Sequence, residues 1–288
     1  MPLSLHRFDD VHAFLDRAGD FLVAREAEHN LMLGISSYLR DHPELVEHAP
    51  TLMVVTDDDD GVVAASVRTP PFNQVISMVD DLAAVDLIAD ALRDEDLPGV
   101  LAPTDVAARF AERWTALTGQ PARVDVAERI FRLDRVIPPA RPAAGSWRLV
   151  ESRDRERIAR WAVAFQEEVE PSGPPIDDPL AMADRWVARI GRLGYVWEDG
   201  GAVVSLVGAS GETPHGIRIG PVYTPPELRG RGYASALTAA ASQDQLDRGR
   251  RFVFLFTDLS NPTSNKIYRA IGYEAVCDVD QHRFGADA

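Results

Sequence analysis

The chain has 288 residues, 45% of them apolar and 26% charged, which is typical of soluble globular proteins and long enough for two domains. Its formal net charge of −15 disfavours nucleic-acid binding, because the nucleic-acid backbone requires a basic surface. No apolar run reaches the roughly 18 residues of a membrane span, and the single cysteine, Cys277, excludes an intrachain disulfide or a cysteine-based zinc site.

The negative charge is concentrated in the first half of the chain. Residues 1–145 have 13 Lys and Arg against 25 Asp and Glu, whereas residues 146–288 have 17 against 20. Such acidity commonly keeps a protein soluble, and it also favours a cationic small molecule or basic peptide as partner. The N-terminus lacks the features of a signal peptide. We therefore expect a cytoplasmic protein without nucleic-acid or membrane partners.

The first half predicts two helices followed by two strands. Helical patterns cover residues 11–24 and about 28–40, and strand-like runs cover 52–55 and 62–67. The strands flank the turn Asp-Asp-Asp-Asp-Gly at 57–61. A calcium loop needs alternating ligands and a distant Glu, so these consecutive aspartates predict a solvated turn instead.

A proline-rich segment at residues 138–146 predicts a linker between domains at 1–137 and 147–288, because proline continues neither a helix nor a central strand. The second half then repeats the pattern. Helices are predicted at 152–168 and 179–190, followed by a hairpin of strands at 194–197 and 202–207. The repeated order favours a tandem copy of one α/β unit. The alternative is two unrelated domains whose local sequence patterns are similar.

A glycine-rich turn follows the next strand. Residues 216–223 read as a strand interrupted by Gly220-Pro221, which is typical of a bulge. After a short connector, Arg229-Gly230-Arg231-Gly232 leads into an alanine-rich helix that runs to about Leu246. The first N–H groups of a helix have no internal partner, and glycine allows close approach to an anion. The turn therefore predicts a phosphate site, although a tight helix start that needs glycine would read similarly.

Two common phosphate motifs match poorly. A nucleoside-triphosphate loop requires a lysine after the glycines, and a dinucleotide fingerprint requires glycine where Ser235 stands. Residues 229–234 instead resemble the R/Q-x-x-G-x-G/A signature of the GCN5-related N-acetyltransferases (GNAT). Residues 261–273 are similar to that family's ending, Asn-x-x-Ser/Ala-x-x-x-Tyr-x-x-x-Gly-Phe/Tyr. The resemblance covers about residues 146–285.

The resemblance implies an α/β (α+β) protein with two GNAT-like domains, each a mixed, mostly antiparallel twisted sheet flanked by helices. It also implies acetyl-CoA as acyl donor, no metal, and direct transfer of an acetyl group to a primary amine in a ternary complex. The residues it assigns to CoA binding are Val222, Tyr223, Thr224, Arg229, Gly230, Arg231, Gly232, Tyr233, Ala234, Ser235, Asn261 and Ser264.

Tyr268 is the predicted general acid. A phenol with an ordinary pKa of about 10 can protonate the leaving thiolate, whereas a tyrosine that only packs a short helix is the alternative. For the general base, Glu167, Glu168 and Glu170 lie where the helix at 152–168 ends, and Glu168 is the candidate. A chain of water molecules would serve equally. Because the family transfers the acyl group directly, Cys277 is predicted to be structural.

The first half is predicted to be a degenerate copy that does not bind CoA. Aspartates, among them Asp80 and Asp86, stand where a pyrophosphate would bind, and no tyrosine matches Tyr268. We hypothesise that this half supports the second one and lines part of the acceptor site through Glu26, Glu28, His29 and Asn30. A CoA-binding regulatory or scaffold protein without activity, or an unrelated phosphate-binding hydrolase, are the other functions that the sequence allows.

Overall fold

The computed structural model describes residues 2–169, 171 and 173–285. In the first half the elements follow the order strand, two helices, three strands, helix, strand, helix, strand. They are β1 (Ser4–Phe8), α1 (Val11–Ala24), α2 (Asn30–Asp41), β2 (Thr51–Thr56), β3 (Val62–Arg68), β4 (Gln74–Ile76), α3 (Ala83–Leu92), β5 (Gly99–Pro103), α4 (Thr104–Thr118) and β6 (Ala122–Leu133).

The second half repeats this order, so the predicted repeat is confirmed at the level of element order. Its elements are β7 (Ser146–Leu149), α5 (Arg155–Val169), α6 (Pro179–Ala188), β8 (Arg192–Asp199), β9 (Ala202–Ser210), β10 (Gly216–Tyr223), α7 (Tyr233–Asp247), β11 (Phe252–Asp258), α8 (Pro262–Ala270) and β12 (Glu274–Phe284). Short 3-10 helices lie at Pro43–Leu45, Ser152–Asp154 and Pro226–Leu228. None of the helices in the described part of the chain has the length and apolarity of a membrane span.

Local chemistry explains where several helices begin and end. The carboxylate of Asp10 accepts a hydrogen bond from the Ala13 N–H at 3.0 Å and caps α1. Asp178 caps α6 in the same way, with Pro179 at the first helical position. This helix ends two residues before the predicted Ile190, because Arg189 adopts a left-handed conformation with φ of 60°.

The described residues fold into two compact units. Unit 1 comprises Met1–Phe131, Phe256–Asn261 and Ala275–Ala288, and unit 2 comprises Arg132–Leu255 and Pro262–Glu274. From Ala275 onward, β12 therefore belongs to unit 1 although it lies in the second half of the sequence. The predicted linker at 138–146 lies in unit 2 and is irregular up to Ser146, where β7 begins.

In unit 1 the strands are ordered β1-β2-β3-β4-β5-β12-β6. The β4–β5 pair is parallel, and β5 pairs antiparallel with β12. Strand β2 has an unbroken apolar run because both of its faces are buried. Met53 and Val55 pack with residues of α3 and α4, whereas Leu52 and Val54 pack with residues of α1 and α2.

In unit 2 the strands are ordered β7-β8-β9-β10-β11, antiparallel except for the β10–β11 pair. The indole of Trp186 on α6 lies against two glycines that face each other across β8 and β9, Gly194 and Gly208. A Cβ would come within 2.8 Å of this indole from Gly194 and within 2.9 Å from Gly208. Glycine at both positions therefore allows α6 to pack closely on the sheet.

Candidate functional site

Strand β10 is irregular near its end. Its register against β9 shifts between Ile219 and Val222, which confirms the bulge predicted from the Gly-Pro pair. The parallel register that the structure describes with β11 joins Gly216–Arg218 to Phe252–Phe254 and does not extend to Val222 or Tyr223. A strand end that leaves its neighbour in this way offers backbone groups to an extended ligand.

The hydroxyl of Ser205 on β9 holds the end of β10. It donates a hydrogen bond to the Tyr223 carbonyl at 3.1 Å and is hydrogen-bonded to the Thr224 hydroxyl at 2.8 Å. All three residues are buried. Sequence reasoning missed Ser205, whose only signal was a polar residue in the middle of an apolar, buried strand.

The turn after this strand requires glycine for its backbone. Gly230 and Gly232 have φ of 76° and 85°, in the left-handed region that residues with a Cβ rarely adopt. A Cβ on Gly230 would meet no atom within 4 Å, so packing does not explain the glycine. A side chain at position 230 would therefore point into open space.

Helix α7 begins directly after this turn with an uncapped N-terminus. Gly232 is the N-cap residue and makes no side-chain hydrogen bond; its carbonyl accepts from the Ala236 N–H at 2.9 Å. The N–H groups of Tyr233, Ala234 and Ser235 come before the first helical hydrogen bond, so they have no acceptor within the helix. Together with the positive end of the helix dipole, they fit an anion such as pyrophosphate.

The two arginines of the turn both have side-chain partners. Arg229 donates from Nε to the Thr224 carbonyl at 2.8 Å and from Nη2 to Glu168 at 2.7 Å, and the latter bond raises the pKa of Arg229. Arg231 interacts with the hydroxyl of Tyr233, which donates to Asp199 at 2.5 Å. The bond to Asp199 raises the pKa of Tyr233. Asp199 was not anticipated from the sequence.

The structure thus brings the candidate base Glu168 together with Arg229. Glu167 is exposed on the same last turn of α5, and Glu170 lies outside the described residues. Which group takes the proton from the amine stays a prediction.

Tyr268 is buried on α8, with 8% of the residue's surface exposed. Burial raises its pKa to about 12, while a hydrogen bond with Ser264, one turn earlier, acts in the opposite direction. Its ring meets Tyr273 edge to face at 6.0 Å, and the Tyr273 hydroxyl is hydrogen-bonded to Ser242 of α7 at 2.8 Å. The phenol therefore carries its proton at neutral pH. Asn261 immediately precedes this helix.

A model of the acetyltransferase (GNAT) family matches residues 155–273. This segment is a GNAT domain. It contains the glycine turn, the start of α7, and Tyr268. Members of the GNAT family are N-acetyltransferases that use acetyl-CoA as co-substrate. No curated protein sequence is significantly similar to the chain.

Solved structures extend the likeness to the whole chain. A Drosophila protein has a TM-score of 0.69 at 15% identity and covers 99% of both chains. A tandem GNAT protein from the clavulanic acid biosynthesis pathway has a TM-score of 0.60 at 17% identity, covering 99% of this chain and 98% of its own. A GNAT protein from Sphaerobacter thermophilus has a TM-score of 0.57 at 20% identity, covering 97% of this chain and 95% of its own. These likenesses establish the fold, which confirms the predicted fold class of two GNAT-like domains.

In the first half, the helix that corresponds to α7 in element order is α3, and the first N–H groups of this helix have acceptors in the preceding turn. The Asp81 carboxylate accepts from the Ala83 N–H at 2.9 Å, and the Asp81 carbonyl accepts from Ala84 at 3.1 Å. Just beyond β4, the Met78 N–H donates to Nε2 of His29 at 3.1 Å. These three backbone N–H groups have internal acceptors, which agrees with the prediction that the first half does not bind CoA.

The other aspartates of that segment are ion-paired. Asp80 pairs with Arg25 at 3.2 Å and Asp86 with Arg109 at 2.6 Å. Of the residues suggested for the acceptor site, Glu26, His29 and Asn30 are buried and Glu28 is half-buried.

Two features with possible metal or nucleophilic chemistry have structural explanations. In the turn at 57–61, the Asp57 carboxylate accepts from the backbone N–H groups of Asp59 and Gly61. Among the residues that the structure describes, no cluster of three His, Cys, Asp or Glu side chains could hold a metal ion. Cys277 lies in β12, where burial raises its pKa to about 12 and disfavours the reactive thiolate.

Proposed function

We propose that this protein is an N-acetyltransferase that moves an acetyl group from acetyl-CoA to a primary amine, using the second half of the chain to bind the donor. The observation that carries the proposal is the uncapped N-terminus of α7, reached through Gly230 and Gly232 beside the irregular end of β10. This arrangement supports a ligand with a phosphate group at one end and an extended, amide-bearing arm.

The residues divide between the two parts of the donor. Backbone N–H groups of Tyr233, Ala234 and Ser235, with Arg231, would bind the pyrophosphate. Backbone groups of Val222, Tyr223 and Thr224 would pair with the pantetheine amides. Asn261 and Ser264 would contact the same arm from the start of α8.

The chemistry needs one proton donor and one proton acceptor. As the amine nitrogen bonds to the thioester carbon, the carbon–sulfur bond breaks and the sulfur receives the proton of the Tyr268 phenol. The proton that the amine loses passes to Glu168 or to water. The raised pKa of Tyr268 supports the first role, because a phenol must be protonated to act as an acid. The net negative charge supports a cationic amine as acceptor.

Free-thiol release from acetyl-CoA, measured with a panel of polyamines, aminoglycosides and amino acids, tests the proposal, together with CoA binding by calorimetry. We expect CoA binding and amine-dependent thiol release. CoA binding without release for any amine would favour the second candidate, a catalytically silent CoA-binding regulatory or scaffold protein. No CoA binding would overturn both.

A further inference from the structure

The Arg229 guanidinium already uses, for contacts within the protein, the donors with which arginines usually bind phosphate. Nε and Nη2 form the edge that makes paired hydrogen bonds to phosphate or carboxylate oxygens. Here Nε donates to the Thr224 carbonyl and Nη2 donates to Glu168. The carboxylate also balances the positive charge of the guanidinium.

These contacts join the end of α5 to the end of β10. Glu168 lies in the last turn of α5, and Thr224 follows β10 directly. A second contact links the same elements, since the ring of Trp161 on α5 lies 5.8 Å from that of Tyr223. Thr224 and Tyr223 are in turn held by Ser205. The strand end that would receive the pantetheine arm is thus fixed from two sides, with Arg229 on the side of α5.

We propose that Arg229 is a positioning residue, which through Glu168 holds the end of β10 in place for the pantetheine arm and does not itself bind the phosphates. This inference rests on the proposed function. Phosphate recognition then falls to Arg231 and to the first backbone N–H groups of α7. The role of Glu168 becomes that of partner to Arg229.

Glu168→Gln separates the two roles of Arg229, because only the positioning role predicts a weaker affinity for CoA. If Arg229 acts through Glu168, the substitution loosens the strand end and raises the Kd for CoA about two- to fivefold, the range for an exposed ion pair. If Arg229 binds phosphate, losing the competing carboxylate frees the guanidinium and leaves the Kd unchanged or lowers it. An unchanged or a lowered Kd for CoA would overturn the inference.

Pantetheine, which has no phosphate, provides a second probe. We expect Arg229→Gln to raise the Kd for CoA and for pantetheine by the same factor, about three- to tenfold for the loss of the ion pair and a charged hydrogen bond. Titrations followed by NMR can measure the weak pantetheine binding. The double variant Glu168→Gln/Arg229→Gln should bind CoA as tightly as Arg229→Gln alone, because both substitutions break the same ion pair. An effect of Arg229→Gln on CoA only, or additive effects, would overturn the inference.

Arg155→Gln is the matched control. Arg155 forms an exposed ion pair with Asp184 at the opposite end of α5, so this variant tests for a general loss of helix stability. We expect it to leave both Kd values unchanged, and a shift equal to that of Arg229→Gln would overturn the inference. If the unsubstituted protein binds neither CoA nor pantetheine, the proposed function fails and the inference falls with it. If the unsubstituted protein binds CoA but the variants do not show the expected changes in Kd, the inference alone fails.

Discussion

Gly208 and Gly220 meet at the bulge of β10, where a Cβ added to Gly208 would lie 2.6 Å from the Gly220 carbonyl oxygen. The same Cβ would also press on the indole of Trp186 at 2.9 Å. The strand end that is proposed to receive the pantetheine arm therefore depends on a glycine of the neighbouring strand, which has no direct part in binding.

Gly208→Ala should displace the bulge and destabilise unit 2 by about 1–3 kcal/mol, the usual cost of overpacking. Urea unfolding measures the loss, and CoA titration measures the accompanying rise in Kd. Gly19→Ala is the control, since Gly19 lies inside α1 with nothing within 4 Å of an added Cβ. That substitution should stabilise the protein by about 0.5–1 kcal/mol. An unchanged free energy of unfolding in Gly208→Ala would contradict the conclusion that no Cβ fits between position 208 and the Gly220 carbonyl.

Gly232→Ala should weaken CoA binding about tenfold, because alanine resists the left-handed conformation by about 1–2 kcal/mol and would turn the first N–H groups of α7 away from the anion. The control is Gly249→Ala beyond the other end of α7, where φ is 95° and an added Cβ meets nothing within 4 Å, whereas at Gly232 it meets Ala143 Cβ at 3.9 Å, an ordinary contact. Both variants should lose similar stability in thermal unfolding. If both variants raised the Kd for CoA equally, backbone strain in α7 would explain the effect, and the N–H groups at the start of α7 would have no special part in binding.

Tyr268→Phe should lower kcat about 10²–10⁴-fold, the usual contribution of a general acid, with little change in the Kd for CoA. The phenyl ring keeps its contact with Tyr273, so the fold should persist. Tyr273→Phe, which loses the hydrogen bond to Ser242, should reduce stability and leave kcat nearly unchanged. Because the pKa of Tyr268 is raised to about 12, its ionisation should not reduce the rate below about pH 11. Full activity of Tyr268→Phe would remove the tyrosine from the mechanism.

Acid should destabilise unit 1 through its buried histidines. Burial lowers the pKa of His29 and of His282 below the ordinary 6.5; for His29 the Leu22 carbonyl and Glu28 act in the opposite direction, and Arg25 adds to the lowering. In the unfolded chain both histidines take up protons as the pH falls through 6.5, whereas the folded protein does not until its lower pKa values are reached. The free energy of unfolding therefore decreases with falling pH in that window and is unaffected by these groups above it.

Urea unfolding at pH 7.5 and pH 5.5 measures this decrease. His29→Gln, whose amide can still bond to Met78, should reduce the difference between the two pH values. An unchanged difference in that variant would mean that His29 does not contribute.

A fragment of residues 138–288 should not fold by itself. In the intact protein Val279–Arg283 pair with Gly99–Pro103 of β5, and the fragment would expose this edge of β12 without its partner. Circular dichroism and solubility test the expectation, and co-expression with residues 1–137 should restore a folded complex. A folded fragment with unchanged acetylation kinetics would instead show that the first half contributes neither to folding nor to the acceptor site.

Much of the architecture could be predicted because its signals are local. Alternating and continuous apolar runs identified the strands, and the Gly220-Pro221 pair indicated the bulge that the register shift confirms. Gly230 and Gly232 indicated a turn with positive φ before a helix, as the structure has it. The ion pair of Arg229 and the part played by Ser205 were not predictable, since Glu168 and Tyr223 lie 61 and 18 residues away in sequence.

The sequence by itself determined the order of the elements, the repeat, the glycine turn and the position of Tyr268, because backbone preferences and apolar periodicity act over a few residues. Only the tertiary structure decided that β12 pairs with β5 and that Glu168 lies against Arg229. Choices of this kind depend on which of several similar partners packing brings within hydrogen-bond distance, and many carboxylates in this acidic chain could have served Arg229 equally well.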